Sequence, residues 1–428
     1  MNKNLCSRLW RNTKGIDALR RHSNPRTAGY ENISSQETSH ANQKPPAKST
    51  ARQSRQTTNR VPTKNISHLL IALFAVTITL VMLSCNEPEV QIIEPPGPPP
   101  PMSLPDSIAV GNVLFIDTLN GWLPVWLFHE TLPYQGGIFK TTDGGLTWYA
   151  KYLTTRARMS SVKFIDHQYG WAKEVQGSVI YTTDGGENWI RQDTIVFDIE
   201  GETGIRLNSF RFLNRCEGWG TASKSGCPLG CGGCGYVVHT TNGGRSWNMN
   251  YYSSNRQLAG VYMLPSGKGW VSGGGNYLDC PPYILHTSDY GGTWFEQQIP
   301  GDDIGTVSSF AFHNSNFGYA YGMRGIFKTS NSGQRWDTTA FSTATAYDMA
   351  IINDSVVYAL RGSTITYLYT LYRSSNRGKT WNKQAEFGRS FKDMSFLNDT
   401  TGWIVGQVSY PTGFTVYRLR NNSWIKIR

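Results

Sequence analysis

Beyond Cys85 the sequence has next to no excess of charge: 28 Lys and Arg stand against 27 Asp and Glu, although all 428 residues together carry a formal +11. A near-neutral body excludes the broad basic footprint of a nucleic-acid binder, so no nucleic-acid partner is expected. Apolar residues at helical spacing are also missing over any stretch of ordinary helix length, which argues against a bundle or a doubly wound sheet. The ~20-residue apolar run of a spanning helix is absent as well. The best candidate is Leu69–Leu83, 15 residues behind Lys64.

What is present falls into regions. Residues 1–64 hold 13 Lys and Arg against 3 Asp and Glu, are rich in Ser, Thr, Asn and Gln, and have too few apolar residues to offset the entropy of ordering. They read as a disordered or untranslated head. Residues 65–84 have the length and apolarity of a signal-peptide core and end in Met82-Leu83-Ser84-Cys85, which resembles the bacterial lipobox. That resemblance implies export, lipidation at Cys85 and placement in the cell envelope, with the outer membrane favoured over the inner and a periplasmic or cell-surface orientation. An uncleaved signal anchor is the alternative. Residues 85–106 are Pro-rich and read as a semi-rigid extended spacer.

The remainder, residues 107–428, is organised by a repeat. Six segments share Thr/Ser, Asp/Asn, Gly and Trp at fixed offsets: TTDGGLTW ending at Trp148, TTDGGENW at Trp189, TTNGGRSW at Trp247, TSDYGGTW at Trp294, TSNSGQRW at Trp336 and SSNRGKTW at Trp381. Upstream of each lies a short alternating apolar stretch, and in several units a Gly-Trp step, as in Val162-Lys163-Phe164 then Gly170-Trp171. Period-two alternation bounded by Gly signals short strands, four per unit. A seventh unit ends at Trp424, its motif decayed to RLRNNSW. The expected fold is therefore all-β, a seven-bladed β-propeller of four-stranded antiparallel blades. With a first inner strand near Val113 and a last strand at Trp424, the ring is expected to close without strand exchange.

These segments match the BNR or Asp-box motif, S/T-x-D-x-G-x-T-W. Together with the Gly-Trp step they resemble the photosystem II stability/assembly factor group, whose members are seven-bladed propellers that help build the photosystem and carry an arginine patch. The motif residues Asp143, Asp184, Asn242, Asp289, Asn331 and Asn376 are expected to be structural: Asp or Asn accepts backbone N–H bonds across the hairpin, Gly takes a positive φ, and Trp packs between blades. Sialidases carry Asp boxes too, but they are six-bladed with an R-I-P motif that this sequence lacks. A glycan-active hydrolase of sialidase or xyloglucanase type stays as the alternative function, with Asp302, Asp303 and Asp348 as its acidic candidates.

The direction of the chain puts the Asp boxes on one face with the turns between strands one and two, and puts the blade crossovers and longer inserts on the other. The inserts are Pro124–Gly137, Ser223–Gly235 and Gly273–Pro282. Arg158, Arg206, Arg256 and Arg389 each precede an inner strand, and Arg211 lies within one; the crossover arginines are expected to gather at the channel mouth and bind an acidic group, the alternative being that they cap crossover backbone or pair with Asp302, Asp303 and Asp348 as solvated ion pairs. The main reading is a binding or assembly scaffold, not an enzyme, with no cofactor and no bound metal, monomeric, holding a protein or peptide partner and tethered to a membrane by its lipid. Cys227, Cys231 and Cys234 repeat the spacing of radical-SAM iron–sulfur enzymes, a reading excluded by export. With Cys280 they are expected to form two disulfides or a zinc site; Cys216, on the opposite face, is expected to be unpaired.

Overall fold

The computed structural model describes residues 102–105, 108–128, 134–191, 196–198, 204–224, 233–254, 256–274, 281–300, 306–323, 325–341, 345–363, 368–388, 391–407 and 414–428. They form a seven-bladed β-propeller with no helix among them. None therefore offers a helix long and apolar enough to cross a membrane.

Each blade is one contiguous run of residues, ordered from the axis outward. Blade 2 illustrates the plan, with an inner strand Met159–Phe164, then Gly170–Glu174, Val179–Thr182 and the outer Ile190–Arg191. The other inner strands are Ile108–Val110 with Leu114–Phe115 in blade 1, Ile205–Phe212, Leu258–Met263, Val307–Phe312, Ala346–Ile351 and Phe391–Asn398. The last blade ends in Ser423–Lys426, so all four of its strands are its own and the ring closes without strand exchange. Side chains join the two ends instead. Phe115 N–H donates to Ser395 Oγ at 2.9 Å, and Trp403 Nε1 donates to the Gly144 carbonyl at 2.9 Å.

Two details depart from the sequence reading. Pro124 does not open a loop; it lies inside the second strand of blade 1, paired with Ile138. A proline lacks an N–H, and the inner strand is interrupted alongside it, between Val110 and Leu114, so few ladder bonds are lost. Blade 3 gains a fifth strand, Val196–Asp198, which runs parallel to its outer strand. Blade 1 is edged in a similar way by Ser103, bridged to Tyr149. Both additions cover part of an outer edge that would otherwise offer unpaired backbone groups.

The blades are glued by aromatic trios. The Trp of a Gly-Trp step stacks on the last Phe of the next blade's inner strand, and that Phe meets the box Trp of its own blade edge-on. Trp122 stacks on Phe164 at 4.1 Å while Trp189 meets the same ring at 5.9 Å and 87°. Trp171, Phe212 and Trp247 repeat the arrangement, as do Trp270, Phe312 and Trp336. In blades 6 and 7 Tyr358 takes the first place, stacked on Phe396, which meets Trp424 edge-on. Each stacked or edge-on pair adds about 0.5–1.5 kcal/mol beyond its area of burial.

Candidate functional site

The Asp boxes are built alike in six blades. The Thr or Ser hydroxyl accepts an N–H from the Gly four residues on, at 2.7–2.9 Å, in every one. The Asp or Asn Oδ1 accepts the N–H of its own fourth residue at 2.9–3.0 Å, whichever of the two it is. Two successive residues take positive φ. Gly144 and Gly145 do so in the first box, but Tyr290 (53°), Ser332 (60°) and Arg377 (57°) hold the first of those places in the last three. Blade 7 has no four-residue box loop: Arg420 pairs with Ser423, and Asn421 (49°) and Asn422 (60°) make a two-residue turn of the type that matches strand twist.

A second set of turn residues escaped the sequence reading. Between strands one and two, Asp117, Asp166, Asn214, Asn314 and Asn353 each accept two backbone N–H bonds from the residues that follow. These turns in turn receive a box N–H through a carbonyl, as when Gly144 donates to Leu119 at 2.9 Å and Gly185 to Gln168 at 2.9 Å. The boxes and these turns therefore share one face. The recurring Asp or Asn two residues after the inner strand in five of the seven blades was the available signal.

On the opposite face two of the crossover arginines, Arg158 and Arg256, lie against aromatic side chains. Arg158 is exposed and lies over Trp126 and Phe128, 5.2 and 5.5 Å from their centroids. Arg256 lies over Tyr283 at 4.6 Å and pairs with Glu296 at 3.0 Å, which carries it outward over the third and fourth strands of blade 4. The physical reason is that an aromatic face and a carboxylate attract a guanidinium more than an open channel does. Arg206 does not precede the inner strand of blade 3 but lies within it, paired with Ser223, because the strand starts at Ile205; it is exposed, with no ion pair among the described residues. Arg389 lies outside the described residues.

Arg211 is set deeper. It lies in the inner strand of blade 3, donates Nε to the Met263 carbonyl at 3.0 Å and stacks on Tyr262 at 4.0 Å. Across the axis, Asp348 of blade 6 accepts N–H groups from Met349 and, at 2.9 Å, from Met394 of blade 7, as well as the Tyr321 hydroxyl at 3.2 Å. Asp393 of blade 7 accepts the Val113 N–H of blade 1 at 2.7 Å, and Asn112 of blade 1 brackets Val162 of blade 2 at 2.7 and 3.0 Å. The innermost strands turn an unpaired edge to the axis, and these residues satisfy it from the neighbouring blade. Burial pushes the Asp348 carboxyl up to about 6 and raises Asp393 well above the usual range, with the neighbouring Asp348 charge adding to it. Asp302 and Asp303 lie outside the described residues.

Cys216 is disulfide-bonded, which overturns the expectation that it is unpaired; Cys234 is also disulfide-bonded. They are not bonded to each other. The second and third strands of blade 3 pair Gly218 with Thr240 at one end and Lys224 with Cys234 at the other. At about 3.3 Å per residue that sets the two sulfurs roughly 20 Å apart. The partners therefore lie outside the described residues, as do Cys85, Cys227, Cys231 and Cys280. Cys216 belongs to the Asp-box face, where its carbonyl accepts the Gly243 N–H at 2.7 Å. It is only partly buried there, which leaves its sulfur accessible to a second thiol. Among the described residues no group of three metal-ligating side chains occurs.

Fold and boxes define the class: this is a seven-bladed β-propeller of BNR/Asp-box repeats. Residues 142–263 match the family model of the photosynthesis system II assembly factor YCF48, and residues 371–385 match that of the BNR-Asp box repeat, so the protein resembles the YCF48 group. No curated protein sequence matches it. Among solved structures it is similar to YCF48 bound to a D1 peptide, with 18% identity over 75% of this chain and 94% of that one and a TM-score of 0.51. It is equally similar to YCF48 from Cyanidioschyzon merolae, with 18% identity over 75% and 98% of the two chains and a TM-score of 0.51. A puromycin-hydrolyzing peptidase of Mycobacterium tuberculosis gives 10% identity over 75% of this chain and 53% of that one, with a TM-score of 0.53. At these identities the likeness establishes the fold alone.

Proposed function

We propose that this protein is an exported, lipid-anchored binding or assembly scaffold, not an enzyme, that holds an acidic protein or peptide segment on its crossover face. The observation that carries the reading is the pair of exposed arginines on that face, Arg158 and Arg206. Arg158 rests on an aromatic platform and neither has a carboxylate partner among the described residues. A guanidinium fixed by its face and open at its edge is prepared to take a carboxylate in bidentate fashion. Arg256 adds to the site only by exchanging Glu296 for the partner. The D1 peptide bound to YCF48 supports a peptide as the class of partner. Against the hydrolase alternative, both oxygens of Asp348 accept backbone N–H bonds, which suits a staple better than an acid or base.

The test is capture of partners from the native envelope by the lipidated protein. Replacing Arg158, Arg206 and Arg256 together with Ala is expected to abolish capture of the partner that the unaltered protein retains; undiminished capture would overturn the site. Radiolabelled palmitate should enter the unaltered protein and not the Cys85→Ala variant, and labelling of both would refute anchorage at Cys85.

A further inference from the structure

The channel holds a group of cations that neither the rim site nor the fold explains. Lys163 and Arg211 occupy equivalent places on the inner strands of blades 2 and 3, each just after the buried residue Val162 or Phe210. The corresponding residues elsewhere include Tyr262, Ala311, Ala350 and Ser395. Where the residue is polar it normally stitches its blade to the next. Ser395 accepts the Phe115 N–H, Tyr262 donates to the Phe312 carbonyl at 3.3 Å, and Arg211 donates to the Met263 carbonyl. Lys163 breaks the pattern. It makes no hydrogen bond or ion pair among the described residues, and its Nζ lies 5.9 Å from the centroid of the Phe210 ring.

Its surroundings are charged. The Lys163 side chain is exposed by surface area, but other charged groups of the ring lie within electrostatic reach of it. Desolvation and the Arg211 charge hold its ammonium down to about 8; Lys173 of the same blade is held to about 8 by burial and by Lys163, and its Nζ reaches the Leu207 carbonyl at 3.3 Å. The carboxylates in electrostatic reach are Asp348 and Asp393, and neither lies within ion-pairing distance of Lys163. Both are tied to backbone N–H groups on blades 7 and 1.

We propose that Lys163 and Arg211 form an anion site inside the channel that takes one carboxylate, the ammonium on one oxygen and the free Nη edge of the guanidinium on the other. Arg211 is fixed for this through Nε and Tyr262, so its fork loses little freedom on binding. The carboxylate comes from the C-terminus of a polypeptide or from a small free acid. The site is distinct from the rim arginines and does not depend on them.

The test uses the full-length protein with its lysines reductively methylated by a ¹³C reagent, which keeps their charge; the Lys163 signal is assigned by its loss in Lys163→Arg. The probes are acetate, succinate, and tri-alanine with a free or an amidated C-terminus. A saturable shift of the Lys163 signal with a free carboxylate is expected, at least tenfold weaker in Arg211→Gln and unchanged in Arg158→Gln. A response to tri-alanine alone assigns the site to a polypeptide terminus, and a response to acetate or succinate alone assigns it to a small acid. No saturable shift with any carboxylate, or an equal shift with amidated tri-alanine, overturns the proposal. Once Lys163→Arg has assigned the signal, the unaltered protein gives either result even if Arg211→Gln or Arg158→Gln fails to fold.

Discussion

Trp403 of the last blade stacks on Phe115 of the first, with ring centroids 3.7 Å apart and planes within 5° of parallel. Trp148 meets the same Phe115 edge-on at 5.9 Å and 77°. This trio stands where the two ends of the ring meet, and it is made like those between consecutive blades. Closure is thus one more copy of the ordinary junction, fastened also by Arg428, which donates Nη2 to the Leu104 carbonyl at 2.7 Å.

Phe115→Ala should therefore lower stability by about 3–5 kcal/mol, the usual cost of emptying a well-packed aromatic site. Trp381 is only partly buried, and Trp381→Ala should cost less than Phe115→Ala. Denaturant unfolding of both variants checks the order. Equal losses would show that the closing junction is not a tighter site than the Trp381 junction.

In the first box, burial tends to raise the Asp143 pKa, but the hydrogen bonds from Thr147, Thr141 and Leu146 outweigh it and hold the carboxyl below its usual range. A lowered folded-state value means stability that is present above the unfolded-state pKa and is lost as pH falls through the folded one. Asp143→Ala should cost about 1–2 kcal/mol, in the range of a lost capping side chain. Asp143→Asn should be nearly neutral at pH 7, since Asn242, Asn331 and Asn376 accept the equivalent N–H, and should weaken the acid dependence. Thermal melts across the acid range would expose any departure.

Asp348 has the opposite sign. Its carboxyl is pushed from 3.8 to about 6, so in that window the folded protein keeps a proton the unfolded state has lost, and stability falls as pH rises until it levels above about 6. Asn112 accepts the equivalent backbone N–H with a neutral side chain, from Val162 at 2.7 Å. Asp348→Asn is therefore expected to flatten the profile between pH 4 and 6, although it keeps only one of the two oxygens that accept the Met349 and Met394 N–H groups and so lowers the melting temperature across that range. A profile as steep as that of the unaltered protein would show that Asp348 is not the group that titrates there.

Peptide mapping under non-reducing conditions should recover Cys216 and Cys234 in two separate disulfides. Recovery of either as a free thiol from freshly isolated protein would contradict the arrangement.

Legibility followed the range of the interaction. The boxes could be read because all their partners lie within about four residues, so Thr141, Asp143, Gly145 and Trp148 keep fixed offsets in the sequence. The turns at Asp117 and Asn214 obey equally local rules and went unread although the Gly-Trp steps at Trp122 and Trp219 follow each of them at the same offset. The course of Arg256 was illegible for another reason. The direction of Arg256 is set by Tyr283 and Glu296, respectively 27 and 40 residues away, and no spacing encodes such a contact.

The sequence by itself determined seven units, their four strands and the face on which the boxes lie, because each follows from alternation and turn chemistry within a few residues. Only the tertiary structure decided what faces the axis. Lys163 and Arg211 lie 48 positions apart and Asp348 lies far beyond both. Their shared channel exists only once the ring has closed, because its charges come from separate blades whose angular positions are set by the packing of every blade between them.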